Sequence, residues 1–434
     1  MRHRYYHKHL NSTLNFLVPP DKRVLFVGSF DNELPSPSSP YFTLGQKRNW
    51  QWHNIKKDLP VGHFDYIILE GALGKTSDIS CFLNNLIRLC WSGTKILIYQ
   101  HNYLWQGLLT FTESLNLKRK EGIYNWLSVG DIEMYLNVCG FETTRIFRKI
   151  LCPVFLFGIG PIINWLSALI PLFDFLKLDQ YIIARPKAEL FPPSQLPQSL
   201  TVCLTVRDER DNIEPMVQTI PKLCEKQEIL FIEGHSKDDT REEIERVIKA
   251  YPEKNIRVIG QPGNGQGDAT RAGFLAAKGE IIIIYEGDRT CEPNDLQWFW
   301  KAMQTGRFEF IEGSRFVYPF DKKCMSLPKK CGNIFFATWF SFFLGQRVTD
   351  ILSGIKAISK KDFQTLEKQW EAFGFTDPWG DFELLFGATR LGLKIGEIPI
   401  HYYPRLYGKS KMGILSHGFK VLKVAFSGYW IFRK

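Results

Sequence analysis

The amino-acid sequence predicts an α/β protein that is built of two domains. Its 434 residues are enough for two or three domains of about 100–200 residues each. Both halves alternate short apolar runs with helical patterns, which is typical of sheets with parallel strands. A proline-rich stretch without hydrophobic periodicity, residues 187–198, lies between the halves. We therefore expect a linker there, joining a domain over 1–186 to a domain over 199–434.

Composition and charge exclude several classes of function. The chain is 44% hydrophobic, so it is not a disordered protein, and its formal net charge is +10. It has no zinc-finger or RNA-recognition signature and no long basic run, so we expect no nucleic-acid partner. The nine cysteines are odd in number and contain no Cys-x-x-Cys pair, which predicts reduced thiols. The first residues lack an apolar signal-peptide core, and we expect a cytoplasmic protein whose charge faces phosphates and the inner face of the cell membrane.

The first domain contains four apolar runs of strand length, at residues 23–27, 64–69, 95–99 and 180–184. Helical patterns at 78–91 and 129–139 lie between them, and together these elements predict a parallel sheet. The order, with the motifs FDYIILEGAL, WSGTKILI and NWLSVGDIEMYLNVCGFE, resembles a class I S-adenosylmethionine-dependent methyltransferase over about residues 20–186.

That resemblance implies a Rossmann-like fold with Gly28, Asp31 and Glu70 near an S-adenosylmethionine pocket. The turn after the first strand has one glycine only, and residues 35–62 offer no clear strand that ends in an acid for the ribose hydroxyls. Two interpretations are therefore open: an active methyltransferase, and a degenerate domain that retains the fold for partner or membrane contact.

The stretch 151–173 contains no charged residue and is long enough to span a bilayer. Pro153, Pro161 and Pro171 argue against a continuous helix, and a further strand follows at residue 180. We favour an apolar helical insertion that lies at the membrane interface or caps the sheet, with a transmembrane span as the alternative.

In the second domain, four predicted strands each end in an acidic or glycine-rich loop. The strands cover residues 200–206, 228–232, 256–259 and 280–285. Because parallel strands end at one edge of a sheet, we expect these loops to form a ligand site. There Asp208, Glu209 and Asp238 can accept hydrogen bonds from a base and ribose. Glu286 and Asp288 can share Mg²⁺ or Mn²⁺ through oxygen ligands, and the glycines of 263–267 allow close backbone approach to a diphosphate.

Three further motifs complete the pattern: Gly313-Ser314-Arg315, Asp350-Ile-Leu-Ser353-Gly354, and Arg405-x-x-Gly-x-Ser-Lys411. Over about residues 199–415 the chain resembles the family 2 glycosyltransferases of the GT-A fold. It is nearest to the polyprenyl-phosphate sugar transferases, such as dolichyl-phosphate mannose synthase. Glu286 stands where the family usually has Asp, and Gly234 replaces a carboxylate of the second loop.

The resemblance implies roles for individual residues. A carboxylate at the head of a helix after Trp379 deprotonates the acceptor in many such enzymes, with Asp381 as the candidate and Glu383 as its rival. A phosphate acceptor needs little base help, and then Arg405, Lys409 and Lys411 would hold phosphates and stabilise the leaving diphosphate. The implied substrate-binding residues are Thr205, Arg207, Asp208, Glu209, Glu233, Ser236, Asp238, Gly265, Gly267, Arg271, Glu286, Gly287, Arg315, Ser353, Gly354 and Lys409.

Two apolar runs near the C-terminal end, 334–344 and 424–432, are flanked by lysines and arginines. They predict peripheral contact with lipid phosphates, and a buried core helix is the alternative for the first. Our leading hypothesis is an inverting, metal-dependent glycosyltransferase that uses a nucleotide-sugar and a polyprenyl phosphate or a growing envelope glycan. The alternatives are a bifunctional methyltransferase–glycosyltransferase and an inactive transferase fold that binds glycan or lipid.

Overall fold

The structure is a computed structural model that describes residues 2–28, 41–44, 62–116, 125–191, 196–321, 323–373, 377, 379–405 and 414–433. The chain divides into two compact units. The first is Met1–Pro192 with Arg390–Gly392 and Arg433–Lys434, and the second is Pro193–Thr389 with Leu393–Phe432. Each unit contains a β-sheet with helices, which confirms the predicted α/β class.

The sheet of the first unit has six strands in the order β2-β1-β3-β4-β6-β5. They are β1 (Val24–Val27), β2 (Tyr41–Leu44), β3 (Tyr66–Glu70), β4 (Lys95–His101), β5 (Phe141–Lys149) and β6 (Asp179–Pro186). The prediction of a parallel sheet is wrong for one side, because β6 runs antiparallel to both β4 and β5. The sequence did not indicate β5, since six of its nine residues are polar and they do not alternate regularly with the apolar ones.

The helices of the first unit are α1 (Arg2–Leu17), α2 (Ala72–Lys75), α3 (Ile79–Leu86), α4 (Gln106–Ser114), α5 (Val129–Val138) and α6 (Ile159–Leu169). The predicted helices at 78–91 and 129–139 correspond to α3 and α5, and a Ser128–Asp131 capping box starts α5. Apolar residues of α3 and α5 cover one side of the sheet, and Leu10, Leu14 and Leu17 of α1 cover the other.

The apolar stretch 151–173 forms short helical pieces in the first unit. A 3₁₀ turn (Leu156–Gly158) leads into α6, and a second one (Pro171–Leu176) follows it. Across the described ranges, no helix is both long enough and apolar enough to cross a membrane.

The sheet of the second unit has seven strands in the order β13-β11-β12-β10-β7-β8-β9. They are β7 (Ser199–Val206), β8 (Lys226–Glu233), β9 (Ile256–Gly260), β10 (Ile281–Glu286), β11 (Phe310–Ser314), β12 (Lys356–Ser359) and β13 (Ile395–Pro399). Strands β10, β7, β8 and β9 are parallel neighbours, as predicted, so their carboxyl ends share one edge. Strand β12 lies antiparallel between β10 and β11.

The helices of the second unit are α7 (Arg210–Thr219), α8 (Thr240–Ala250), α9 (Gln266–Ala276), α10 (Leu296–Gln304), α11 (Leu327–Leu344), α12 (Lys360–Glu367), α13 (Asp381–Arg390) and α14 (Ile414–Arg433). Helices α11 and α14 contact each other through Trp339 and Phe426, whose ring centroids are 5.1 Å apart. Phe340 and Phe343 of α11 are buried while Phe335 is exposed, so this helix combines a core face with an apolar outer face.

Candidate functional site

The loops after β7 and β8 are joined by hydrogen bonds at the carboxyl edge of the sheet. The Asp208 N–H donates to Ser236 Oγ at 3.0 Å, and the Lys237 N–H donates to Asp208 Oδ1 at 2.7 Å. Glu233 Oε1 accepts from the Ser236 N–H at 2.6 Å. Asp208 has a φ of 52°, a left-handed conformation that short polar residues tolerate in loops. Three residues predicted to bind substrate, Asp208, Glu233 and Ser236, therefore lie together.

Glu209 and Asp238 occupy the starts of the helices that follow these loops. Glu209 is buried, and Asn212 Nδ2 donates to its Oε2 at 2.6 Å. Asp238 Oδ1 accepts from the backbone N–H and the hydroxyl of Thr240, which is the first residue of α8. Asp238 is thus hydrogen-bonded to the first residue of a helix in this structure, and its predicted role toward substrate stays a prediction.

The end of β10 brings Glu286 and Asp288 to the same edge, beside Thr205 of β7. Glu286 pairs in register with Thr205, and the Gly287 N–H donates to the Thr205 carbonyl at 3.3 Å. A Cβ at Gly354 would lie 2.1 Å from Glu286 Cδ, so a side chain at position 354 would have to displace the Glu286 carboxylate from its present place. Gln266, at the start of α9, donates from Nε2 to Glu286 Oε1 at 2.8 Å.

Arg405 connects the β7 loop to the β10 loop. Its Nη1 donates to Glu209 Oε1 at 2.9 Å, and its Nη2 donates to Asp288 Oδ2 at 2.5 Å. The other Asp288 oxygen accepts from the hydroxyl and backbone N–H of Thr290. The guanidinium is three-quarters buried, with a side-chain exposure of 24%. Such charge-assisted pairs are among the stronger hydrogen bonds of a protein.

The carboxylates of the β10 turn fit a divalent cation. Burial raises the pKa of Glu286 to about 7, and the negative charge of Asp288 contributes in the same direction. In the part of the chain that the structure describes, no group of three His, Cys, Asp or Glu side chains forms a complete metal site. Mg²⁺ is commonly held by one or two carboxylates together with substrate phosphates, so the two acids suit a cation that arrives with a diphosphate.

Arg315 forms a buried network at the end of β11. Its Nε and Nη2 each donate at 2.7 Å to the two oxygens of Asp350, and Asn333 Nδ2 donates to Asp350 Oδ1 at 2.7 Å. The Arg315 charge and these hydrogen bonds overcome burial, which acts in the opposite direction, and hold the pKa of Asp350 below its usual range. The motifs Gly-Ser-Arg and Asp-x-x-Ser-Gly are thus joined in the fold.

The head of α13 carries three acids, of which one was not predicted from the sequence. Asp377 accepts from the backbone N–H groups of Trp379, Phe382 and Glu383, and so caps the helix. Asp381 Oδ1 accepts from Lys356 Nζ at 2.8 Å. Burial raises the pKa of Asp381, and Lys356 lowers it again in part. Burial and the charge of Asp377 raise the pKa of Glu383 to about 7.

Lys356 is almost fully buried on β12 and serves two acids. Besides Asp381 it lies 3.7 Å from Glu312 Oε1, and its Nζ donates to the Ser353 carbonyl at 2.5 Å. Burial raises the pKa of Glu312 to about 8, which leaves Glu312 mostly protonated at neutral pH. Asp381 is therefore the acid that balances the Lys356 charge. A lysine within a short strand gave no signal of this role.

The remaining predicted residues are two glycines, two arginines and three residues that the structure does not describe. Gly267 approaches the α13 loop so closely that a Cβ would lie 2.5 Å from the Asp377 carbonyl. Arg271 donates to Glu367 at 2.8 Å, and Arg207 is half exposed, with Nε 4.0 Å from Asp208. Gly265, the residue before α9, has a φ of 90°, which favours glycine. Asp31, Lys409 and Lys411 lie outside the described residues.

In the first unit, Gly28 follows β1, and Glu70 is the last residue of the neighbouring parallel strand β3. A Cβ at Gly28 would lie 2.6 Å from Glu70 Cβ, so these two predicted residues are adjacent. The strand on the other side of β1 ends at Leu44, and the sequence continues with Gly45, Gln46 and Lys47. None of these three residues is an acid, so the sequence directly after β2 does not supply the carboxylate that binds the ribose of such a cofactor.

Comparison with known proteins identifies relatives of the second unit. Residues 201–366 match the family model for glycosyl transferase family 2. Over 172 residues the chain is 30% identical to the UDP-N-acetylglucosamine–dolichyl-phosphate N-acetylglucosaminyltransferase of Methanococcus voltae. The matched stretch covers 39% of this chain and 67% of that protein. It is 28% identical to glycosyltransferase AglJ of Haloferax volcanii, over 41% of this chain and about half (54%) of that protein.

A solved structure that resembles this chain is glucosyl-3-phosphoglycerate synthase from Mycobacterium tuberculosis in complex with Mn²⁺, UDP and glucosyl-3-phosphoglycerate. It is 17% identical, covers 53% of this chain and 80% of its own, and superposes with a TM-score of 0.39.

Proposed function

The chain belongs to glycosyl transferase family 2, and on that basis we propose that it moves a sugar from a nucleotide-sugar to a polyprenyl phosphate. The observation that carries this proposal is the meeting of Glu209, Asp288 and Arg405 at the carboxyl edge of four parallel strands. We assign the second unit to the GT-A fold of such enzymes. A relative whose name states a dolichyl-phosphate acceptor supports the choice of a lipid phosphate.

The donor's nucleoside would lie against the loops after β7 and β8. Asp208, Glu209 and Glu233 present carboxylate oxygens there, which accept hydrogen bonds from base N–H groups and ribose hydroxyls. The donor's diphosphate would then lie toward the β10 turn. Arg405 and Arg315 are the cations nearest to that turn among the described residues that we have placed in the site. They offer positive charge to the leaving diphosphate.

Glu286 and Asp288 would hold the divalent cation together with donor oxygens. When bound, the cation supplies positive charge that neutralises the leaving diphosphate. Burial and, after it, the charge of Asp288 raise the pKa of Glu286, which fits this role because a bound cation would compensate a buried carboxylate beside a second one.

The reaction would be a single displacement with inversion. An acceptor phosphate oxygen forms a bond to the anomeric carbon while the bond from that carbon to the nucleoside diphosphate breaks. The electron pair of the broken bond leaves with the diphosphate. A lipid phosphate has a second pKa of about 6 and is largely ionised near neutral pH, so no proton has to be removed.

A hydroxyl acceptor on a growing glycan would instead need a base. Asp381 is our candidate, because Lys356 at 2.8 Å favours its ionised form. Glu383 is the rival, since its pKa of about 7 suits proton transfer near neutral pH. The acceptor therefore decides whether either acid is catalytic.

The test is donor and acceptor profiling of the full chain. Turnover of UDP- and GDP-sugars is measured with a polyprenyl phosphate, with and without Mn²⁺, for the wild type, Asp288→Asn and the control Asp239→Asn. Asp239 has a side-chain exposure of 73% and lies outside the proposed site. We expect Mn²⁺-dependent transfer that falls at least 100-fold in Asp288→Asn only. Absence of transfer from every donor would leave a binding module as the better description.

Methyl transfer by the first unit is the second candidate activity, and the order of its sheet is the feature that favours it. Because the residues after β2 do not fit S-adenosylmethionine, we derive no methyl-transfer step. Calorimetric titration with S-adenosylmethionine tests this activity. Heat of binding would support the bifunctional hypothesis, and the absence of heat would contradict it.

A further inference from the structure

Helix α6 has its apolar side facing outward. Ile159, Ile162, Trp165 and Leu169 recur at helical spacing, and each exposes between 42% and 57% of its surface. The buried positions of the same helix are the small residues Gly160, Ser167 and Ala168. A helix on the surface of a water-soluble protein has the reverse arrangement, with the large apolar residues inside.

The outward orientation of α6 is fixed by polar contacts on its inner side. Asn164 Oδ1 accepts from the backbone N–H groups of Leu151 and Cys152, at 2.7 Å each. Its Nδ2 donates to the Cys152 carbonyl at 2.8 Å and to Tyr5 Oη on α1 at 3.0 Å. At Gly160 a Cβ would lie 1.8 Å from the Val154 carbonyl oxygen, so only glycine lets α6 pack this closely on the backbone before it.

Helix α4 presents a second apolar stripe. Leu108 and Phe111 lie in α4, and Leu104 and Leu115 lie just before and just after it. The four stand at i, i+4, i+7 and i+11, and each is 48–60% exposed. No residue of α4 is buried, so its own fold neighbours do not account for the stripe.

The two stripes belong to one connected surface. Trp105 Nε1, just before α4, donates to the Leu176 carbonyl at 2.7 Å, and Asn102 Nδ2 donates to the Phe175 carbonyl at 2.7 Å. Residues 175 and 176 end the 3₁₀ turn that follows α6. We call the outer sides of α4, α6 and this turn the apolar face. It gathers several large exposed side chains on neighbouring elements, unlike the single scattered ones that need no explanation.

Charge is almost absent from the apolar face. Glu113 is the only charged residue in α4, and Asp174 of the 3₁₀ turn is paired with Lys177 at 2.8 Å. In the sequence, Lys118, Arg119 and Lys120 follow shortly after α4. An uncharged, aromatic-rich surface whose neighbouring sequence is basic matches hydrocarbon bordered by anionic headgroups. At about 1.5 Å per residue, an 11-residue helix cannot cross a hydrocarbon core of about 30 Å.

We propose that the apolar face is the surface by which the first unit lies in one leaflet of a lipid bilayer, with α4 and α6 in the membrane plane. The choice of a bilayer as the occupant rests on the proposed function, since a polyprenyl phosphate is held in a membrane, and on the basic sequence after α4.

The test is co-sedimentation of the full chain with vesicles of phosphatidylcholine, with and without phosphatidylglycerol. The variants are Leu108→Glu/Phe111→Glu on α4 and Ile162→Glu/Trp165→Glu on α6. The control is Met134→Glu/Val138→Glu on α5, whose two side chains are 55% and 79% exposed in the same unit. We expect each α4 or α6 variant to bind vesicles at least about tenfold more weakly, and the control to bind as the wild type does. Phosphatidylglycerol should strengthen the binding of the wild type.

Undiminished vesicle binding by both variants would overturn the proposal, as would a wild type that does not bind vesicles. If light scattering instead shows a wild-type dimer that the α4 and α6 variants lose, the apolar face joins two copies of this chain. Transfer to a short-chain, water-soluble polyprenyl phosphate separates the two proposals. If the wild type binds vesicles but transfers no sugar, the membrane proposal stands and the proposed function is wrong. If it transfers sugar but does not bind vesicles, the proposed function stands and the membrane proposal is wrong.

Discussion

Replacing Glu286 by glutamine should stabilise the protein at alkaline pH while it removes activity. The ordinary pKa of this carboxyl is 4.5, and in the fold it is raised to about 7. The folded state therefore binds the proton more tightly than the unfolded state, and ionisation of Glu286 lowers the free energy of unfolding as pH rises from about 4.5 to 7. Above pH 7 the full effect is present.

The size of the effect follows from the shift. A difference of about 2.5 pKa units corresponds to about 3 kcal/mol at pH 8, and to less than about 1 kcal/mol at pH 5. Glu286 retains some exposure to solvent, so this is an upper bound. Glutamine keeps the shape and can still accept from Gln266 Nε2, and it has no charge to repel Asp288. The glutamine variant should thus be more stable than the wild type at pH 8 and nearly equal to it at pH 5.

The assay is urea unfolding at both pH values without divalent cations, compared with Glu245→Gln. Glu245 pairs with Arg241 on the exposed side of α8, and its loss should change the free energy of unfolding by less than about 0.5 kcal/mol. A variant that is destabilised equally at pH 5 and pH 8 would refute the reasoning, because Glu286 would then be a structural ion-pair partner. Mn²⁺ added together with a nucleoside diphosphate should raise the stability of the wild type at pH 8 more than it raises that of Glu286→Gln.

Three further predictions concern neighbouring contacts. Asp350→Asn leaves the buried Arg315 guanidinium without its bidentate partner and should lower the free energy of unfolding by about 3–5 kcal/mol in urea, whereas a loss below about 1 kcal/mol would contradict the network. Gly354→Ala places a methyl group 2.1 Å from Glu286 Cδ and should displace that flexible side chain, so we expect Mn²⁺-dependent turnover to fall at least tenfold at nearly unchanged stability; normal turnover would show that Glu286 is dispensable. Lys356→Met removes the charge that lowers the pKa of Asp381, so with a hydroxyl acceptor the acidic limb of the kcat/KM profile should move to higher pH, and an unmoved limb would exclude Asp381 as the base.

The sequence was most informative where strands are buried on both faces. Strand β10 is apolar except for its last residue, and β7 and β8 contain buried apolar runs, as parallel central strands do. The polar loops that follow these strands were located correctly. Strand β5 was missed because its three apolar residues do not alternate regularly with its polar ones. Its antiparallel partner β6 was predicted, but the direction of the pairing depends on a contact that only the fold creates.

Within the site, residue types were easier to predict than pairings. Asp288 and Glu209 are separated from Arg405 by 117 and 196 positions, and no local pattern joins them. Asp377 was missed although an Asp shortly before a helix is a capping signal, because Asp381 stands closer to the start of the helix in the sequence. Lys356 was missed because a lysine in a strand is normally taken for an edge residue.

The bridge made by Arg405 links two binding events that would otherwise be independent. Asp288 Oδ2 can receive either the guanidinium or a metal ion, so an incoming cation has to compete with a charge that the chain itself supplies. Freed from Asp288, Arg405 becomes available to a diphosphate, and a diphosphate that attracts Arg405 in turn exposes Asp288 to the cation. By reciprocity each ligand then raises the affinity for the other. We expect the metal ion alone and the nucleotide alone to bind weakly, and the two to bind tightly together. The site would then be occupied only when the complete donor is present.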